Sequence, residues 1–252
     1  MKAMIFAAGV GSRLKPWTDS HPKALAPVQG NPVINHVINQ IRRTTGINDF
    51  VVNVHHFAKE LEDWLKNKRE EDNINIDISD EQDTLLETGG GLLKAKKFFE
   101  DEDCVLVHNA DILTDINLQR VIDKHNQEKN DVTLLCSDRD SSRKLIFNKD
   151  GRLKGWKNYK NGEILPDGLQ HAKGDKELAF NGIHVIGSKM IEALREYAEK
   201  TGESRFSLIP FYLDNIKNLK ISCFNPNDNY RWIDIGKSET LQEANKLFND
   251  HE

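Results

Sequence analysis

Short apolar runs alternate with helix-period segments through the first half of the chain. Residues 3–8, AMIFAA, are continuously apolar, as a strand buried on both faces requires. Residues 32–43, PVINHVINQIRR, open on a proline suited to a helix start and repeat Val33, Val37, Ile38 and Ile41 on one face. FVVNV (50–54) predicts the next strand, and AKELEDWLKNK (58–68) an amphipathic helix with Leu61, Trp64 and Leu65 inward. NINIDIS (73–79) alternates as a strand, GGLLKAKKFF (90–99) reads as a helix, and CVLVHN (104–109) as a buried strand. LQRVIDKHNQ (118–127) and VTLLC (132–136) add one more helix and strand. Such repetition implies right-handed crossovers and a mostly parallel sheet covered on both faces.

The rhythm changes near residue 140. KLIFNKDGRLKGWKN (144–158) predicts two strands around an Asn-Lys-Asp-Gly turn, and ELAFNGIHVIG (177–187) a strand interrupted by glycine. SKMIEALREYAEK (188–200) predicts a helix with Ser188 as its N-cap. RWIDIG (231–236) is a short strand, and SETLQEANKLF (238–248) a last helix opening on serine or lysine. The expected architecture is α/β, a Rossmann-like mixed, mostly parallel sheet with helices on both faces. A small β-rich part is expected to form a second wall over the sheet's carboxyl end. Residues 1–252 then form one domain, with 1–140 as its doubly wound half and 141–252 as the half that adds these strands.

Composition narrows the function classes. The net charge is −5 with dispersed basic residues, which argues against duplex nucleic acid as a partner. The three cysteines lie inside apolar runs without metal or redox spacing and read as buried hydrophobes in a reducing compartment. No apolar run approaches the ~20 residues that span a bilayer. The N-terminus reads as a strand rather than a signal segment. A soluble cytoplasmic protein is expected.

Five stretches carry candidate chemistry. In AAGVGSRLKPWT (7–18), Gly9 and Gly11 permit a tight turn whose N–H groups approach phosphate or base, and Arg13 adds a forked cation. The loop lacks the third glycine of a dinucleotide fingerprint, since Leu14 stands there, and the Gly-Lys-Ser/Thr of a P-loop. In HPKALAP (21–27), two prolines hold Lys23 in an extended segment. In LLETGGGL (85–92), three glycines suggest close packing of a nucleobase or sugar, or else of another element, and Glu87 and Thr88 offer hydrogen bonds. Asp111 follows the strand CVLVHN directly, and Asp234 lies in RWIDIG. Paired carboxylates at strand ends suit Mg²⁺ beside phosphate, whereas each alone suits a helix cap or an ion pair.

Together these stretches resemble the sugar-1-phosphate nucleotidyltransferases over nearly the whole chain. AMIFAAGVGSRLKPWT is similar to that family's N-terminal signature and HPKALAPV to the lysine block that follows it. Trp17 stands where leucine is usual, and His-Asn-Ala-Asp where Asn-Gly-Asp or Gly-Asp is common. The resemblance implies a catalytic Arg13 and Lys23, nucleotide contacts at Ala8, Gly9, Gly11, Glu87 and Gly90, and a Mg²⁺ site at Asp111 and Asp234. It implies sugar contacts at Asn109, Asn181 and Gly182. Arg143, Lys144 and Lys157 are candidates for a second sugar-phosphate cation. The implied partners are a nucleoside triphosphate and a sugar 1-phosphate, with neither nucleic acid nor membrane, in a monomer or homodimer. LLETGGGL, FNGIHVI and RWIDIGKSETLQEA most resemble the short uridylyltransferases of N-acetylmuramate 1-phosphate in cell-wall recycling. Mannose-1-phosphate guanylyltransferases are the alternative.

Overall fold

The computed structural model describes residues 1–226 and 229–248. The strands are β1 (Lys2–Phe6), β2 (Pro27–Val28), β3 (Asn31–Pro32), β4 (Asp49–Val54), β5 (Asn75–Asp80), β6 (Cys104–Asn109) and β7 (Ile112–Thr114). They continue as β8 (Val132–Ser137), β9 (Arg143–Phe147), β10 (Leu153–Asn158), β11 (Ile164–Leu165), β12 (Lys176–Gly187), β13 (Ile221–Phe224) and β14 (Trp232–Asp234). The helices are α1 (Val33–Thr45), α2 (Ala58–Asp72), α3 (Glu87–Ala95), α4 (Gln119–Glu128), α5 (Ser188–Thr201), α6 (Leu208–Asp214) and α7 (Ser238–Leu247).

Strands β6, β1, β4 and β5 pair in parallel, in that order. The apolar centre of β1, Ala3–Ile5, follows from this place. Its Ala3 and Ile5 face one core with α1, α2 and α4, while Met4 faces the other with α3, α5 and α6. Burial on both faces leaves no room for the polar alternation of a half-solvated strand.

The long β12 joins the two parts of the chain. Its C-terminal half lies antiparallel between β6 and β8, and its N-terminal half pairs with β9. Instead of a second wall standing over the sheet, β12 enters the sheet itself, and β9, β10 and β11 extend it. The expected turn joins β9 and β10, with Gly151 at φ +76° and its N–H donated to the Asn148 carbonyl at 2.9 Å. Gly182 takes φ +76° where the register of β12 against β8 shifts, so it is the bulge that lets one strand serve two neighbours.

Ser188 is not a cap. It is the first residue of α5, whose N-cap is Gly187 with no side-chain bond. Lys237 precedes α7, where the Thr240 hydroxyl accepts its N–H at 3.2 Å. Among the described residues no helix is long and apolar enough to cross a membrane. Cys104 and Cys136 are buried, as expected, and Cys223 is half-buried.

Candidate active site

The carboxyl ends of β1, β4 and β6 open into a cavity of about 440 Å³. Ala7, Ala8, Gly9, Gly11, Arg13 and Lys23 form one side of it. A Cβ on Gly9 would meet nothing within 4 Å, so this backbone faces open space. Gly11 is different. At φ +67° it packs its α-carbon against Thr18 and Lys23, and a Cβ there would lie 3.0 Å from that of Lys23. The loop therefore folds back on itself and brings Lys23 into the cavity. The Thr18 hydroxyl donates to the Gly11 carbonyl at 2.9 Å, and the Trp17 indole donates to the Pro22 carbonyl at 3.2 Å. The unusual Trp17 thus helps fix the segment that presents Lys23. The Lys23 ammonium pairs with Asp111, which follows β6 across the cavity.

The inner end of the cavity is polar. Asn53 at the end of β4 accepts the Ala7 N–H at 2.7 Å and donates to Glu81 at 2.7 Å. Glu81 is fully buried, and its other oxygen accepts the Leu86 N–H at 3.1 Å. Glu87, Thr88, Ser207 and Asn109 also line this space. The Ser207 hydroxyl donates to Glu87.

Gly90 corrects the sequence reading. A Cβ on it would collide with the Ser204 carbonyl, and one on Gly89 with the Phe206 ring. Both N–H groups donate to the Phe206 carbonyl, at 2.8 Å from Gly89 and 3.2 Å from Gly90. Gly89 and Gly90 are thus covered by the chain's own segment 204–206, whereas Gly91 packs against Glu81 and Asn53, so Gly90 does not face the cavity. Glu87, one turn earlier, remains in the cavity.

A second cavity of about 1000 Å³ adjoins the first, and Arg13 and Gly236 line both. Asp234, Trp232, Arg139 and Arg143 lie in its wall. Asp234 ends β14, which pairs with β7 immediately after Asp111, and the Ile235 N–H donates to the Asp111 carbonyl at 3.0 Å. One small ribbon thus carries both aspartates. Asp234 accepts the Gly236 N–H at 2.7 Å. The Arg13 guanidinium lies 3.0 Å from where a Cβ of Gly236 would stand, so the bare glycine lets it approach closely beside Asp234.

Asn181 and Gly182 line neither cavity. This corrects their assignment to direct sugar contact. Gly182 packs against Asn109 and Ile112. Asn181 is fully buried, and its amide oxygen accepts Arg139 Nε at 3.0 Å while its amide nitrogen donates to Tyr230 at 2.8 Å. Arg139 also donates to the Phe180 carbonyl at 2.8 Å and stacks over Trp232 at 4.1 Å. Burial pulls its pKa below the ordinary arginine value, and the charge of Asp234 opposes that change. Arg139 is the fixed cation that no sequence motif announced. Of the three candidates, Arg143 lines the second cavity, Lys144 pairs with Asp138 at 3.1 Å, and Lys157 pairs with Glu177 at 3.6 Å.

Among the described residues no group of three or more His, Cys, Asp or Glu could hold a metal. Two carboxylates on one ribbon, opening to cavities lined by cations, still suit Mg²⁺, which completes its octahedron with phosphate oxygens and water. His108 Nδ1 donates to the Asn109 carbonyl at 2.8 Å beneath this ribbon. Burial holds its pKa down to about 4, so it remains neutral.

The nucleotidyl transferase family model matches residues 2–147. An N-acetylmuramate alpha-1-phosphate uridylyltransferase of Caulobacter vibrioides is 31% identical over 219 residues, which cover 83% of this chain and 82% of that protein. A protein of the same name from Neisseria meningitidis serogroup B is 26% identical, over 98% of each chain. The crystal structure of HddC from Yersinia pseudotuberculosis complexed with GMP-PN superposes with a TM-score of 0.73 at 18% identity, over 98% of this chain and 99% of that one. The architecture is the nucleotide-diphospho-sugar transferase fold, built on the mixed, mostly parallel sheet that the sequence led us to expect. By its matched motifs and its extended similarity, the chain belongs to the nucleotidyl transferase family and is an enzyme of nucleotidyl transfer.

Proposed function

We propose that the protein joins uridine triphosphate to N-acetylmuramate 1-phosphate and releases pyrophosphate, in cell-wall recycling in the cytoplasm. The observation that carries this reading is the pair of adjoining cavities that meet at Arg13 and Gly236, one on each side of the aspartate ribbon. Two anionic reactants brought end to end need that layout. The names of the two uridylyltransferases above support the choice of base and sugar. Residues 1–140 would hold the nucleotide, and residues 141–252 would hold the sugar and supply Asp234. The chain would act as a monomer or homodimer.

The reaction is an in-line displacement. An oxygen of the sugar 1-phosphate bonds to the α-phosphorus as the bond to pyrophosphate breaks. The attacking phosphate is already ionised, so the protein's tasks are alignment and charge compensation. Backbone at Ala8, Gly9 and Gly11 lies along the nucleotide. Lys23 exchanges its carboxylate partner for the α-phosphate, and Arg13 offsets charge on the departing pyrophosphate. Arg139, held by Asn181, faces the sugar phosphate, and Asn109 lines the junction. Asp111 and Asp234 would hold Mg²⁺, which when bound neutralises phosphate charge and favours in-line geometry.

One observation favours a second reading. The Glu81 carboxylate at the inner end of the nucleotide cavity, once it gives up Asn53 or Leu86, would suit the adjacent N–H donors of guanine better than the acceptor-flanked N–H of uracil. That points to a guanylyltransferase, with mannose 1-phosphate as the sugar. A matrix of four nucleoside triphosphates against a panel of sugar 1-phosphates, read by pyrophosphate release, decides between them. Highest kcat/KM for uridine triphosphate with N-acetylmuramate 1-phosphate is expected. Preference for guanosine triphosphate overturns the first reading in favour of the second.

A further inference from the structure

The second cavity carries more positive charge than one phosphate requires. Arg13, Arg139, Arg143, Lys160 and Lys237 line it, against Asp140, Asp234 and Glu243. With Arg13 and Arg139 assigned to phosphate and Asp234 to a cation, three basic side chains remain against two exposed carboxylates.

The wall made by β9 and β10 shows where that excess lies. On the face away from the cavity, each cation has a carboxylate. Lys144 pairs with Asp138, Lys157 with Glu177, and Lys154 with Asp175 at 2.5 Å. On the cavity face, Arg143 and Lys160 have no carboxylate partner among the described residues. Arg143 stands opposite Asn158 in the strand register, and Asn158 and Trp156 line the same wall. Arg139 is half-buried and held by Asn181, the Phe180 carbonyl and the Trp232 ring, whereas Arg143 is exposed and unheld. The two arginines therefore suit different groups, one a phosphate in a fixed place and the other a peripheral anion.

We infer that Arg143, with Lys160 on the same wall, forms a second anion subsite that selects sugar 1-phosphates bearing a carboxylate. The inference rests on the sugar-phosphate reading of this cavity. A guanidinium fork at its outer wall matches a carboxylate on a flexible ether substituent of the sugar ring. A neutral sugar leaves the fork facing water, which costs it affinity only relative to the acid.

The test compares N-acetylmuramate 1-phosphate with N-acetylglucosamine 1-phosphate, which differ only in the lactyl ether. Steady-state kinetics are measured with the wild-type chain, Arg143→Gln and Arg143→Lys, using one nucleotide throughout. Wild type is expected to favour the acidic sugar by kcat/KM. Arg143→Gln is expected to lower kcat/KM for the acidic sugar about tenfold, through KM, and for the neutral sugar less than threefold. Arg143→Lys is expected to recover part of that loss. Equal losses on both sugars, or a wild type that turns over the neutral sugar equally well, overturn the subsite and leave nucleotidyl transfer to sugar phosphates intact. Absence of turnover with every sugar phosphate in the wider panel overturns both.

Discussion

Lys23 and Asp111 neutralise one another across the nucleotide cavity, with the lysine side chain only 11% exposed. A pair so placed is available to a ligand because each partner can exchange the other for a phosphate or a cation. Lys23→Ala is expected to lower kcat about a hundredfold, since it removes a cation aimed at developing charge in a largely enclosed site. The melting temperature should move little, because the loop keeps its Trp17 and Thr18 bonds. Pyrophosphate release by the folded variant measures this, and a loss under threefold would remove Lys23 from the chemistry. Asn181 is a positioning residue that acts through Arg139. Asn181→Ala should raise the KM for the sugar phosphate about tenfold while the nucleotide KM changes less than twofold, the size expected when one charge-assisted contact loses its anchor. Equal rises in both would contradict that role. Arg13, Lys23 and the two aspartates were legible because they sit in contiguous blocks beside strand ends. Arg139 was not, since it follows its strand in an ordinary polar stretch and gains its meaning from Asn181 and Trp232 far along the chain. Glu81 and Asn53 were hidden for the same reason, their pairing being a product of the parallel register of β4 and β5.

At the scale of elements, the segment 204–208 clasps the start of α3. Phe206 donates its N–H to the Leu86 carbonyl and accepts from Gly89 and Gly90, and Leu208 donates to the Thr88 hydroxyl. With Gly91 bare against Glu81 and Asn53, this explains Gly89 and Gly90 at the entry of a helix, where each ordinarily costs about 1 kcal/mol against alanine. Their partner is another part of the chain, more than a hundred positions away, which sequence spacing alone does not reveal. Gly90→Ala places a methyl group against the Ser204 carbonyl, in backbone that cannot rotate aside. A destabilisation of about 2–3 kcal/mol is expected, typical of overpacking against fixed atoms. Because Glu87 and Thr88 belong to the same turn, the nucleotide KM should rise with it. Urea denaturation measures the first effect and kinetics the second. A wild-type midpoint in Gly90→Ala would mean that the clasp is loose and the glycines serve something else. Strand and helix alternation was legible from periodicity because each segment is decided by its own residues. The insertion of β12 into the main sheet was not, because an apolar strand reads the same in a central place as in a separate wall.

The whole molecule has a weakness toward acid that follows from its packing. His108 and His184 lie on neighbouring central strands, β6 and β12, almost wholly buried. Burial lowers their pKa values from the ordinary 6.5 to about 4 and about 3, His108 also opposing the charged form of His184. Among the described residues neither ring nitrogen of His184 has a hydrogen-bond partner, nor does the hydroxyl of Tyr212, whose ring packs edge-on against it at 6.1 Å. The folded state thus keeps both histidines neutral, whereas the unfolded chain protonates them below pH 6.5. Their contribution is fully present above that pH and is lost as pH falls toward 4 and then 3. A pKa one pH unit lower in the folded chain than in the unfolded one is worth about 1.4 kcal/mol, so two such groups withdraw a large part of the stability of an ordinary domain. His125, also lowered by burial, acts in the same direction. Between pH 6.5 and 5 most carboxylates remain ionised, so the decline there belongs chiefly to histidine. The urea midpoint of the wild-type chain should fall steadily across that interval. His184→Leu removes two unpartnered nitrogens from an apolar face shared with Phe180 and Tyr212, and should give a flatter profile with a higher midpoint at pH 5. Parallel profiles for the two proteins would show that His184 is charged or solvated in the folded state, and that the strand interface at β6 and β12 admits water.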